Sequence, residues 1–156
     1  MASNHVVPEV SLQRRKELIS TLVGFSKLPV PLQEELAKCL QVEVFTVGGV
    51  VVAERQMGDR MYVIADGVAE VSTEGPRGRV TLNQLSEGDM FGEVALVSKI
   101  RRRKATVTAL TPLVALSLSA DSFEKAMSAH PEVLKNFLKS AEAMMAEKLS
   151  KVSRAD

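Results

Sequence analysis

The sequence predicts an α+β domain: helices at the N-terminus, a small antiparallel β-barrel or jelly roll in the middle, and two helices at the end. Three observations carry this. Residues 11–40 and 119–156 place apolar side chains at helical spacing. Residues 41–118 break instead into short runs rich in Val and Thr. Gly, Pro and Asp separate those runs at regular intervals, as tight turns require. A chain of 156 residues holds one such domain with a helical extension and leaves no room for two enzyme domains.

Residues 1–10 show no period and read as a flexible lead-in. From Ser11, residues Leu12, Leu18, Ile19, Leu22 and Val23 form an apolar face opposite Arg14, Arg15, Lys16 and Glu17, and Gly24 is a natural stop. A second helix opens at Pro31, where the missing N–H costs nothing, and carries Leu32, Leu36 and Leu40 on one stripe. Seven strands then follow: Val42 to Phe45, Val50 to Ala53, Met61 to Ala65, Ala69 to Thr73, Val80 to Leu85, Ala105 to Leu110 and Val114 to Leu118. Asp121 with Glu124 reads as a capping pair for a helix that His130-Pro131 ends. Beyond Pro131, apolar residues from Val133 to Val152 keep an i, i+3, i+4 pattern, a long face suited to the core or to a dimer seam, so a homo-oligomer stays open.

Composition removes several function classes. Apolar residues make up 46% and charged residues 25%, an ordinary globular balance. Twenty basic residues against 19 acidic ones give a net charge of +1, too little general field to hold nucleic acid. Cys39 is alone and cannot form an internal disulfide; it reads as a small buried hydrophobe. No apolar run reaches the ~18 residues of a membrane span. His5 and His130 have no metal-ligand spacing, and no G-x-S-x-G elbow is present, so neither a metal site nor an enzyme is expected.

The chemistry lies in Phe91-Gly92-Glu93-Val94-Ala95-Leu96 and in Arg101-Arg102-Arg103-Lys104-Ala105-Thr106-Val107. Here the β alternation breaks, Gly92 permits close backbone approach, and residues 93–97 can make one helical turn. Exposed amides at such a turn, with a guanidinium near, hold a phosphate-sized anion. A carboxylate beside a bare phosphate would repel it. Glu93 therefore calls for a ligand that also offers a hydroxyl donor, and a ribose cyclic phosphate offers both.

At these residues the sequence resembles the cyclic nucleotide-binding domain family, whose phosphate-binding cassette reads F-G-E-[LIV]-A-L, a short variable stretch, then R-x-A-[TS]-V. Gly58-Asp59-x-Met61-Tyr62-x-Ile64-x-x-Gly67-x-x-Glu70-Val71 and Gly88-Asp89-x-Phe91 are similar to the family's two glycine-aspartate turns and the strands between them. The resemblance spans roughly residues 25–150, the scale of one domain. It implies an eight-stranded antiparallel β-roll over 41–118, N-terminal helices over 11–40, and hinge and lid helices over 119–156. It also implies a non-enzymatic sensor that binds cAMP or cGMP and needs no further cofactor.

Carried over residue by residue, the resemblance gives Glu93 the ribose 2'-hydroxyl, and the backbone amides near Gly92, Val94 and Ala95 the cyclic phosphate. An arginine pairs with that phosphate. The cassette is one residue longer than usual. Counting back from Ala105-Thr106 selects Arg103, and counting forward from Glu93 selects Arg102. Arg103 is favoured because a strand fixes register better than a loop, and Arg102 stays as the alternative. Lys104 stands where many cGMP-selective members carry Thr, which leans toward cAMP. Val71 and Leu85 become apolar walls for base and ribose, and Met144 and Lys148 fall where the lid reaches the purine. Gly58, Gly67 and Gly88 are taken as turn residues.

Leu28-Pro29-x-Pro31-Leu32, Gly48-Gly49-Val50-Val51 and His130-Pro131-Glu132-Val133 look most like the C-terminal domain of cyclic-nucleotide-regulated ion channels. On that likeness the partner is an effector module of the same full-length protein, a membrane channel or transporter, and the domain is cytoplasmic. Two rivals stand beside it. One is a degenerate fold that serves as an interaction module without nucleotide. The other is a lipid-headgroup or nucleic-acid binder working through the triple arginine Arg101, Arg102 and Arg103.

Overall fold

In the computed structural model, which describes residues 8–96 and 102–139, two antiparallel sheets stack face to face and helices cover one of them. The elements are α1 (Leu12–Thr21), α2 (Val30–Cys39), β1 (Gln41–Phe45), β2 (Val50–Val52), β3 (Arg60–Asp66), β4 (Ala69–Gly75), β5 (Gly78–Leu85), β6 (Met90–Phe91), a 3-10 turn (Glu93–Leu96), β7 (Thr106–Ala109), β8 (Leu113–Ser119) and α3 (Ala120–Met127). A further helix, α4, runs over 131–139 to the edge of the described region. The first sheet has the order β1-β8-β3-β6 and the second β2-β7-β4-β5. This is the eight-stranded roll with flanking helices that the resemblance implies.

Strand β3 shows why the sequence folds this way. Met61-Tyr62-Val63-Ile64-Ala65 is a continuous apolar run because both of its faces are buried. Met61, Val63 and Ala65 pack against α1, α2 and α3, whereas Tyr62 and Ile64 point between the sheets. Strand β8 alternates in the same way, with Leu116 and Leu118 toward the helices and Leu113 and Ala115 inward. The helical core is closed by three aromatic rings: Phe25, Phe123 and Phe137 lie with centroids 4.8 to 6.3 Å apart. Burying each is worth about 1.5–3 kcal/mol.

Two local expectations need correction. Helix α3 is capped by Ser119, whose hydroxyl accepts from the Ser122 amide at 3.1 Å, and Asp121 lies inside its first turn. Strand β8 runs straight into the helix, so its last residue doubles as the cap. Helix α1 is likewise begun by Ser11, but it ends at Thr21, ahead of Gly24. The eighth strand, Met90–Phe91, is the one the sequence pattern does not show.

Candidate functional site

The site is built where β6 gives way to the 3-10 turn. Tyr62 pairs with Phe91 and Val63 with Met90, and the Tyr62 and Phe91 rings stack 5.0 Å apart at 12°. This anchors the chain one residue before Gly92. Gly92 then takes φ +79°, a left-handed conformation that glycine adopts without penalty. The turn is closed by the Ala95 amide, which donates to the Gly92 carbonyl at 3.0 Å. In this structure that amide therefore serves the turn. Leu96 ends the turn buried in the helical core, so the cassette and the helices share packing.

Glu93 opens the turn with only 4% of its surface exposed. Arg103 approaches from the other side of the cassette. Its backbone is fixed before β7 begins: its amide donates to the Gln56 carbonyl at 2.7 Å, and its carbonyl accepts from the Arg55 amide at 2.7 Å. Its guanidinium Nη2 donates to the Arg60 carbonyl at 2.8 Å. A Cβ placed on Gly58 would lie 2.5 Å from its Cζ and Nε, and one placed on Gly92 would collide with Nη1. Two glycines thus form the seat of one guanidinium.

Electrostatics agree with that seat. Burial pushes the Arg103 guanidinium below its ordinary range, while Tyr62, Asp59 and Glu93 pull it back up and Arg60 adds to the depression. Burial, with Glu43, raises the Tyr62 phenol against the smaller opposing pull of Arg103 and Arg60. Arg60 is itself held by Ser117 at 3.1 Å and Gln41 at 3.3 Å, with Glu43 and Asp59 at 3.6 and 3.5 Å. The carbonyl that receives Arg103 therefore sits on a strand tied down by its own side chain.

The structure brings Gly92, Glu93 and Arg103 together. Arg102 is exposed and turned away, its Nη1 donating to the Arg55 carbonyl at 2.9 Å. Lys104 is exposed as well. Val71 and Leu85, on β4 and β5, are half-buried against the same inter-sheet core as Tyr62 and Phe91. Val94 lies in the turn, and Met144 and Lys148 lie outside the described residues. Sequence reasoning missed Gly58 as part of the seat, because a glycine before Asp reads as a turn whatever packs on it. Among the described residues no three His, Cys, Asp or Glu side chains converge on a metal position, and no helix is long and apolar enough to cross a membrane.

A seated cation beside a buried carboxylate suits a small ligand that carries both an anion and a hydroxyl, here on a fold of the β-roll class. The sequence profile of the cyclic nucleotide-binding domain matches residues 42–130, and the chain belongs to that family. It is 32% identical to a cyclic nucleotide-gated potassium channel of Mesorhizobium japonicum, over 82% of this chain and 34% of the channel. It is 33% identical to a cAMP-dependent protein kinase regulatory subunit of Debaryomyces hansenii, over 78% of this chain and 26% of that protein. The chain thus spans about a third or less of these curated relatives. The N-terminal domain of a transcriptional regulator from Streptomyces coelicolor A3(2) superposes with a TM-score of 0.73 at 25% identity, covering 88% of this chain and 94% of that one. The regulatory domain of Toxoplasma gondii PKA, crystallised with cAMP, shares the fold with a TM-score of 0.69 at 24% identity, covering 86% of this chain and 50% of that one.

Proposed function

We propose that this chain is a cyclic nucleotide sensor that takes cAMP in preference to cGMP and regulates an effector module of the same full-length protein. The observation that carries the reading is the guanidinium of Arg103 seated between Gly58 and Gly92, with Glu93 buried one residue further on. In this reading Arg103 pairs with the cyclic phosphate, the turn amides near Gly92 and Val94 face it, and Glu93 accepts the ribose 2'-hydroxyl. Val71 and Leu85 wall the base, and Met144 and Lys148 close over it from the last helix. Lys104 offers no hydroxyl to a guanine, which is the ground for preferring cAMP.

Output runs through packing. Leu96 belongs to the same core as Phe123, Met127 and Phe137, so a shift of the turn is felt by α3 and α4. A ligand moves such an equilibrium only by its differential affinity for the two states. The relatives named as channels support a membrane channel or transporter as the effector and a cytoplasmic site of action. Calorimetric titration with cAMP, cGMP and 2'-deoxy-cAMP tests the reading. cAMP should bind more tightly than cGMP, and the deoxy analogue about tenfold to a hundredfold more weakly than cAMP, the value of a hydrogen bond to a charged group. Equal binding of the deoxy analogue would remove the role of Glu93. No heat with any of the three would leave an interaction module without nucleotide.

A further inference from the structure

Arg102 and Arg103 are neighbours in the chain with opposite orientations, and the surroundings of Arg102 assign it a task of its own. The turn over 53–57 runs antiparallel to residues 102–103. Its Gln56 amide donates to the Ala53 carbonyl at 3.2 Å, Met57 and Arg102 form a β-bridge, and the Arg55 amide and Gln56 carbonyl both bond the backbone of Arg103. At the apex, Arg55 takes φ +74°, the only positive φ at a non-glycine among the described residues. Such a conformation persists only where neighbours over-determine it. Both backbone groups of Arg55 are held by the cassette side: the amide by the Arg103 carbonyl at 2.7 Å and the carbonyl by Nη1 of Arg102 at 2.9 Å.

We infer that Arg102 is a positioning residue: it clamps the Arg55 carbonyl, keeps the strained turn paired with residue 103, and so holds the Arg103 guanidinium in its glycine seat. Gly58 follows that turn directly, so loosening the turn loosens one wall of the seat. Arg102 thereby acts on ligand affinity without touching the ligand. The inference rests on the reading in which Arg103 receives the phosphate.

A mutant cycle separates this from a direct contact. Arg102→Ala should weaken cAMP binding about threefold to tenfold, the scale of coupling between residues in one hydrogen-bond network. In an Arg103→Ala background the same change should have no further effect. Arg102→Lys, which keeps one donor, should recover part of the loss, and Arg55→Gly, which removes the left-handed penalty, should suppress it. Without nucleotide, the Arg55 and Arg103 amides should exchange with solvent faster in Arg102→Ala than in the parent. Parent-like affinity in Arg102→Ala, or an equal loss in both backgrounds, would overturn the clamp. A parent protein that gives no titration with cAMP refutes the underlying reading instead, and the exchange experiment still decides the clamp: unchanged protection rejects it.

Discussion

Gly58→Ala is the substitution that isolates the arginine seat from the fold. Gly58 is not among the glycines with positive φ, so an alanine there adopts the same backbone without left-handed strain. What its Cβ meets is the tip of a flexible side chain, 2.5 Å from Cζ and Nε of Arg103. To reach ordinary contact at 3.4 Å the guanidinium must retreat by about 1 Å. A charge-assisted bond of about 2.8 Å stretched by that much is no longer a hydrogen bond. The contact is worth about 1.5–3 kcal/mol, so affinity for cAMP should fall about tenfold to a hundredfold, with Arg103→Ala as the ceiling. Calorimetric titration reads the affinity, and a thermal melt should show a midpoint lowered by no more than the lost Arg103 bond to the Arg60 carbonyl, since alanine also restricts the unfolded chain. A Gly58→Ala protein that binds like the parent while Arg103→Ala does not would refute the seat.

Other expectations follow from the same geometry. Gly92→Ala should lose both stability and affinity, because its Cβ meets Arg103 and the Arg60 carbonyl at φ +79°, whereas Gly48→Ala, at φ +85° with nothing within 4 Å, should cost about 1–2 kcal/mol of stability in chemical denaturation and leave binding unchanged. Phe25→Ala removes the ring that touches both Phe123 and Phe137 and should destabilise by about 3–5 kcal/mol in the same assay. The Thr73 hydroxyl at 2.6 Å and the Glu74 amide at 3.0 Å hold the Glu54 carboxyl below its usual range. A depressed carboxyl adds stability above its unfolded-state pKa and loses it as pH falls through the folded value. The gap in denaturation midpoint between parent and Glu54→Gln should therefore be open at neutral pH and close in acid.

Much of this was legible in the sequence because the central strands β3 and β8 bury their side chains, whereas β5, exposed along almost its whole length, shows itself only by its Val80 to Leu85 run and the glycine turn before it. Seven strands follow from their Val- and Thr-rich runs and the turns between them, and the apolar run of β3 marks it as covered on both sides. The pair Met90–Phe91 is too short to display an alternation, and only its pairing with Val63 and Tyr62 makes it a strand. Gly92, Glu93 and Arg103 were readable from the cassette pattern, and the structure brings them together. The seat was not readable, because Gly58 meets Arg103 across the fold and no local pattern records such a contact. Gly24 is similar: it lies beyond the end of α1 at φ +88°, and the Phe137 ring stands 3.3 Å from where its Cβ would be. The division of labour between Arg102 and Arg103 was open in the sequence, since adjacent arginines differ only in which way the backbone turns them.

The most direct test is a crystal structure of this chain soaked with cAMP. The cyclic phosphate should lie at the mouth of the 3-10 turn, with its oxygens about 2.7–2.9 Å from the Arg103 guanidinium and the ribose 2'-hydroxyl on Glu93. Nucleotide bound through Arg102 instead, or only solvent beside Gly92, would contradict this placement.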